Sequence, residues 1–167
     1  LFADAPSGSG RRVGRSTLAE PAFPVQDSPR MPIVTATRLV KFNAGHRVYN
    51  PAWSDEKNAA TFGKCNNPNY HGHNYTLEIT VEGAVDPDTG YVMDLGHLKQ
   101  VAERELVQHL DHKNLNLDVP FLAGTIPTTE NLVLACWREL APKVTPARLV
   151  RLKLWETENH YVEYDGR

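Results

Sequence analysis

The stretch His71-Gly72-His73-Asn74-Tyr75-Thr76-Leu77-Glu78-Ile79-Thr80-Val81-Glu82 alternates almost without a break. His71, His73, Tyr75, Leu77, Ile79 and Val81 share one side, and Asn74, Thr76, Glu78, Thr80 and Glu82 the other. A period of two predicts a strand with one face on a core and the other polar. Upstream, residues 34–48 predict a second strand, with Val40, Phe42, Ala44, His46 and Val48 on its apolar side. Downstream, Asp86-Pro87-Asp88-Thr89-Gly90 has the composition of a turn. A helix then starts with Asp94 as N-cap and carries Leu95, Leu98, Ala102 and Leu106 on one stripe. A second helix begins near Thr128, carries Leu132, Cys136 and Leu140, and stops before Pro142. Residues 148–156 and 160–165 predict an antiparallel pair. Strand, loop, strand, helix, helix, strand, strand is an α+β order, in which two helices cover one face of a four-stranded antiparallel sheet.

The totals narrow the function. A length of 167 residues favours one domain with a real core. A formal net charge of −2 lacks the basic excess of a nucleic-acid binder. No apolar run is long enough to cross a bilayer, so neither a membrane nor a nucleic acid is an expected partner. Two cysteines, Cys65 and Cys136, make a disulfide framework unexpected and suit a reducing, cytoplasmic compartment. Residues 1–31 differ from the rest. Ser7-Gly8-Ser9-Gly10-Arg11-Arg12 with Pro6, Pro21, Pro24 and Pro29 cannot bury much apolar surface, which predicts a disordered extension before a folded domain over 32–167. The extension lacks the apolar segment of a secretory signal, and Asp4, Glu20 and Asp27 offset its arginines, against a transit peptide.

Seven histidines stand out in so short a chain. Side chains two apart on a strand point the same way, so His71 and His73 can bind one ion, with Gly72 leaving room above them. A His-x-His alone is common by chance. Here His46, on the apolar side of the preceding strand, can supply a third nitrogen. Three neutral imidazoles and an open position make the pattern of a catalytic zinc site rather than a closed structural one. His97, His109 and His160 group with nothing and read as surface or core residues. Cys65 lies in a turn-forming loop, Gly63-Lys64-Cys65-Asn66-Asn67-Pro68-Asn69, that ends at the histidine pair. It is either a fourth ligand or a base whose thiolate is favoured by nearby positive charge. The loop lets the sulfur reach the substrate side, which favours the base. Cys136 reads as core packing. Asp111 and His112 are either a proton relay or a solvated loop. Glu156 shares its strand side with Val150, Leu152 and Leu154, and a buried carboxylate needs a partner. A ligand rich in N–H donors would serve, and a strand end emerging into water is the alternative.

Five segments carry a resemblance that spans residues 36–165: Phe42-Asn43-Ala44-Gly45-His46-Arg47, Phe62-Gly63-Lys64-Cys65-Asn66-Asn67-Pro68-Asn69-Tyr70-His71-Gly72-His73-Asn74-Tyr75, Leu110-Asp111-His112-Lys113-Asn114-Leu115, Thr128-Thr129-Glu130-Asn131 and Trp155-Glu156-Thr157. Together they resemble the family of 6-pyruvoyl-tetrahydropterin and 6-carboxytetrahydropterin synthases. One departure is Asn43-Ala44-Gly45-His46, where the family usually has Ser-Ala-Ser-His. The resemblance implies that His46, His71 and His73 hold Zn2+, that Cys65 is the general base, and that Asp111 and His112 complete its relay. Glu156 would anchor the pterin ring and is sometimes counted with the relay; Thr128 and Thr129 match a threonine pair near the pterin. The implied architecture is the tunnelling fold, in which three sheets close into a barrel and two trimers stack as a homohexamer with sites between subunits. The implied reaction is a carbon–oxygen lyase step of tetrahydrobiopterin biosynthesis. It converts 7,8-dihydroneopterin triphosphate to 6-pyruvoyl-tetrahydropterin with elimination of triphosphate and no external redox cofactor. Two alternatives remain. The 6-carboxy enzyme of the queuosine pathway uses the same substrate and releases acetaldehyde; a non-catalytic zinc or pterin binder should have lost Cys65, the relay pair or Glu156, and all are present. The five residues between Cys65 and His71, and Asp86-Pro87-x-Thr89-Gly90-x-Val92-Met93, resemble the pyruvoyl type.

Overall fold

Two long strands form the centre of the sheet in the computed structural model, which describes residues 31–167. The extension read over 1–31 lies, apart from Met31, outside the described residues. β1 (Ile33–His46) and β2 (His71–Ala84) pair antiparallel along their whole length, from Ile33 opposite Ala84 to His46 opposite His71. The two alternating patterns dictate this register. It brings Val40, Phe42 and Ala44 onto the same buried face as Tyr75, Leu77, Ile79 and Val81. β4 (Arg148–Thr157) pairs with β2, and β5 (His160–Tyr164) with β4 through a two-residue turn.

The sheet has five strands, not four, and is mixed. β3 (Lys113–Asn114) runs parallel along the free edge of β1, giving the order β3-β1-β2-β4-β5. Two residues are too few to show a period, so this strand has no sequence signal. Backbone groups hold it instead: His112 N donates to Asn43 O at 2.6 Å, and Leu115 N to Gly45 O at 2.8 Å.

Three helical rods stand beside the sheet where the sequence predicts two. The unpredicted one is α1 (Asp55–Phe62), in which Asn58 alone is buried, so it has no apolar stripe. Its start is defined chemically. Ser54 caps it by accepting from Lys57 N, and Asp55 and Glu56 sit at the positive end of the helix dipole. The second rod runs from α2 (Leu95–Ala102) through a π-helical segment (Glu103–Val107) into a last turn, α3 (Gln108–Leu110). The third is α4 (Thr129–Leu140). Leu98, Val101, Ala102 and Leu106 from the second rod meet Leu132, Cys136 and Leu140 from α4 in one core with the strands. Burying each large apolar side chain stabilises by about 1.5–3 kcal/mol, so the ends of β1 and β2 stand on a rigid floor. No helix among the described residues is long and apolar enough to cross a membrane.

Two irregularities in β4 matter for the site. Thr80 opposes Arg151 but Val81 opposes Leu149, so one extra residue is inserted on β4. Leu149 therefore turns inward with Leu152 and Leu154, while Val150 is only half-buried, which corrects its predicted place on the covered side. The second slip is at Glu156. Trp155 opposes Tyr161 and Thr157 opposes His160, leaving Glu156 without a partner across the ladder.

Candidate metal centre and ligand cleft

His46 ends β1, His71 begins β2 directly opposite it, and His73 follows on the same face. Their ligand nitrogens all lie within 4.8 Å of one another. His46 is 1% exposed and its Nδ1 sits 2.7 Å from the carbonyl oxygen of Pro127. A carbonyl only accepts, so Nδ1 carries the proton and the bare Nε2 faces the other rings. His46 Nε2 and His71 Nδ1 are buried without a hydrogen-bond partner among the described residues. Orphaned ring nitrogens in a converging trio fit a cation that takes imidazole nitrogen, and zinc suits that donor set. Burial pushes the pKa of His46 down despite the Pro127 carbonyl and Glu156. Burial lowers His71 and His73 as well, helped by the neighbouring imidazoles against the pull of Glu156. All three are thus held in the neutral form a metal requires. The exposed Cys65 is outside this set, so an ion held there would have three protein ligands and an open position. Gly72 acts differently from expectation. Its side-chain position points away from the imidazoles, where a Cβ would lie 3.1 Å from the Ala44 carbonyl oxygen. Its smallness lets the two histidine-bearing strands approach.

Glu156 lies next to the trio. Its Oε1 is 3.6 Å from His46 Nε2, 3.8 Å from His73 Nε2 and 3.5 Å from the hydroxyl of the buried Tyr75. Burial alone would raise its pKa. The hydrogen bond from His160, the Thr129 hydroxyl and the nearby imidazoles outweigh that and hold it below the usual carboxylate range, hence ionised. Thr128 caps α4 by accepting from Asn131 N, and Thr129 is buried in the first turn. Pro127, Thr128 and Thr129 therefore orient His46, start the helix and support Glu156 in succession. A polar cleft of about 770 Å³ opens at Glu156, with His73, Asn74, Lys41 and Asp111 also in its walls.

Cys65 lines a different cavity, of about 710 Å³, which includes His71 and His73 but neither Asp111 nor His112. Its backbone oxygen accepts from Val48 N at 2.8 Å, which ties the loop across the end of β1. Arg47 clamps the next residue, Asn66, through Nε at 3.0 Å to both its carbonyl and its side-chain oxygen. Asp111 and His112 sit on the β1 edge. Asp111 Oδ1 accepts from Asn43 N at 2.7 Å, and Oδ2 meets His112 Nδ1 at 2.8 Å. That segment is therefore bound to β1 rather than a free loop, and it does not meet Cys65 within one chain.

Sequence reasoning missed three participants. His160, set aside as ungrouped, places Nε2 2.7 Å from Glu156 Oε2. The two-residue turn after Thr157 was its available signal, because it folds His160 back beside Glu156. Tyr75 was visible on the histidine side of β2 and was counted as core. The Pro127 carbonyl has no sequence signal, since a backbone acceptor is the same at every residue.

A sequence model described as 6-pyruvoyl tetrahydropterin synthase matches residues 35–167. A Homo sapiens relative named 6-pyruvoyl tetrahydrobiopterin synthase is 47% identical over 130 residues, spanning 78% of this chain and 90% of the relative. The solved structure of Caenorhabditis elegans 6-pyruvoyl tetrahydropterin synthase matches with TM-score 0.78 at 40% identity, over 83% of this chain and 99% of that one. A Rickettsia typhi protein named 6-carboxy-5,6,7,8-tetrahydropterin synthase is 30% identical over 149 residues, 78% of this chain and 99% of its own length.

Proposed function

This chain belongs to the 6-pyruvoyl tetrahydropterin synthase family, and we propose that it converts 7,8-dihydroneopterin triphosphate to 6-pyruvoyl-tetrahydropterin as a zinc-dependent carbon–oxygen lyase. The observation that carries this reading is the pair of buried, unpartnered ring nitrogens, His46 Nε2 and His71 Nδ1, converging with His73 beside an ionised carboxylate. His46, His71 and His73 would hold the ion, which when bound supplies Lewis-acid polarisation of substrate oxygen. Glu156 accepts paired hydrogen bonds from the pterin amino group and ring N–H, which orients the side chain to be transformed. The Cys65 thiolate, on the other side of His71 and His73, removes a proton from that side chain. Triphosphate departs with the electron pair of its C–O bond. Oxidation of the side chain balances reduction of the ring, so no outside oxidant or reductant enters. The Asp111–His112 pair takes up and returns the proton from the next copy in a homohexamer, since within one chain it lies apart from Cys65. A cytoplasmic location goes with this activity.

Incubation of the zinc-loaded protein with 7,8-dihydroneopterin triphosphate should release triphosphate and 6-pyruvoyl-tetrahydropterin without acetaldehyde. Acetaldehyde with a 6-carboxy pterin would assign it the chemistry named for the Rickettsia typhi relative. Binding of the pterin without triphosphate release would make it a non-catalytic member.

A further inference from the structure

Glu156 is the carboxylate beside the metal trio, yet its own strand does little to aim it. It sits at the slip in the β4–β5 ladder, without a residue opposite. A bulged residue can point its side chain where the regular pleat would not, but the ladder no longer fixes it. Something else must set which oxygen faces the cleft.

His160 meets that need. It is the first residue after the turn, and its Nε2 lies 2.7 Å from Glu156 Oε2. Its other nitrogen, Nδ1, is 2.9 Å from Thr157 Oγ1, and Thr157 Oγ1 accepts from Asn159 N at 3.2 Å. The ionised carboxylate only accepts, so Nε2 carries the proton of the neutral ring, and the Thr157 hydroxyl donates to Nδ1. One tautomer satisfies the whole chain of bonds. With Oε2 tied on the outer side, Oε1 is turned toward Tyr75, His46 and His73. A carboxylate has about four acceptor sites, of which His160 and the Thr129 hydroxyl use two, so two ligand donors can be taken up where they displace the long 3.5 Å contact from Tyr75. The His160 side chain is 56% exposed, so it adds little to the core.

We propose that His160 is a positioning residue for pterin binding, holding the Glu156 carboxylate in the orientation that receives the ring's N–H donors. The inference rests on Glu156 being the pterin anchor, as proposed above. His160 itself touches neither the metal nor the reacting carbons.

The test uses the full zinc-loaded chain and biopterin as the titrated probe. His160→Phe keeps a ring and removes the donor, and should weaken biopterin binding about tenfold, as for one charged hydrogen bond. His160→Gln restores an N–H at similar reach and should return affinity to within about threefold of the original. In turnover the Phe variant should raise KM while kcat stays within about twofold, with zinc content unchanged. In a Glu156→Gln background, His160→Phe should have no further effect, because the carboxylate it orients is gone. If Glu156→Gln weakens biopterin but His160→Phe does not, the positioning role is wrong and the anchor stands. Equal losses from His160→Phe in both backgrounds, or no recovery with Gln, would also overturn it. If Glu156→Gln leaves affinity unchanged, the anchor itself is wrong and this role falls with it.

Discussion

His46 allows metal binding to be read from stability, because its ring is buried at the junction of the two central strands. Without an ion, His46 Nε2 and His71 Nδ1 are buried without partners. An unsatisfied buried polar group costs about 1–3 kcal/mol, so the pair represents about 2–6 kcal/mol that a bound cation can relieve. Zinc at a thousand times its dissociation constant should stabilise by about 4 kcal/mol, within that range. For a domain of this size 1 kcal/mol moves Tm by about 3–5 °C, so chelation should lower Tm by about 10–20 °C. His46→Ala removes the ring, leaves a cavity and strands the Pro127 carbonyl, costing about 2–4 kcal/mol on its own. The decisive quantity is the difference between the two responses. The variant should melt lower than the original protein and shift by less than about 3 °C when zinc is removed, since two ligands hold the ion weakly. Differential scanning fluorimetry, with and without chelator at one protein concentration, measures both, and metal analysis confirms the removal. The ligand set is refuted if His46→Ala keeps the full zinc response, or if the zinc-stripped original melts where the loaded one does.

Three further outcomes bear on the same site. Cys65→Ala should retain zinc and lower turnover by about a hundredfold or more, as when a general base is lost; loss of the metal would make Cys65 a fourth ligand instead. Cys65→Ala and His112→Ala, each strongly impaired alone, should regain activity well above either single variant when coexpressed, because mixed oligomers can pair an intact thiol with an intact imidazole; no recovery in verified mixed oligomers would place the relay elsewhere. Gly72→Ala puts a methyl 3.1 Å from the Ala44 carbonyl oxygen and must part the strands where His46 faces His71. It should cost about 1–3 kcal/mol and weaken zinc retention, and a variant with unchanged melting and metal content would contradict the close approach.

How much could be read in advance depended on whether a feature leaves a period in the chain. Alternation over 34–48 and 71–82 assigns each side chain a face, and only one register buries both apolar faces, so the convergence of His46 with His71 and His73 was legible. The two core rods were legible for the same reason, through stripes such as Leu132, Cys136 and Leu140. α1 buries only Asn58 and is defined by a cap, and β3 spans two residues held by backbone bonds, so neither has a period to find. A bulge changes parity without marking the sequence. Val150 was therefore assigned the inward face that belongs to Leu149, while Glu156 kept its parity with Leu152 and Leu154, beyond the slip. His160 was missed because its role needs the bulge at Glu156 as well as the two-residue turn, and the bulge leaves no mark in residue type.

In the proposed mechanism the Asp111–His112 pair and Cys65 are each half of one proton relay. His112 has φ 58°, a left-handed backbone that a residue with a side chain adopts at a cost of about 1–2 kcal/mol. Two bonds to Asn43 hold that segment on the edge of β1, and Asp111 holds Nδ1 of the ring. The imidazole is therefore oriented, yet its side chain is 79% exposed. A strained, oriented and exposed histidine has no evident use within its own chain. Cys65 presents the complementary deficiency: an exposed thiol facing two candidate metal ligands, in a cavity that includes no part of the pair. If Cys65 is the base, it needs a group to pass its proton to, and we propose that the oriented imidazole of a second copy supplies it. Activity per chain should then fall on dilution below the concentration at which the oligomer dissociates, while zinc content stays constant, because the three candidate metal ligands lie in one chain. Activity that remained proportional to concentration through a dissociation seen by light scattering would require the relay to be completed within a single subunit.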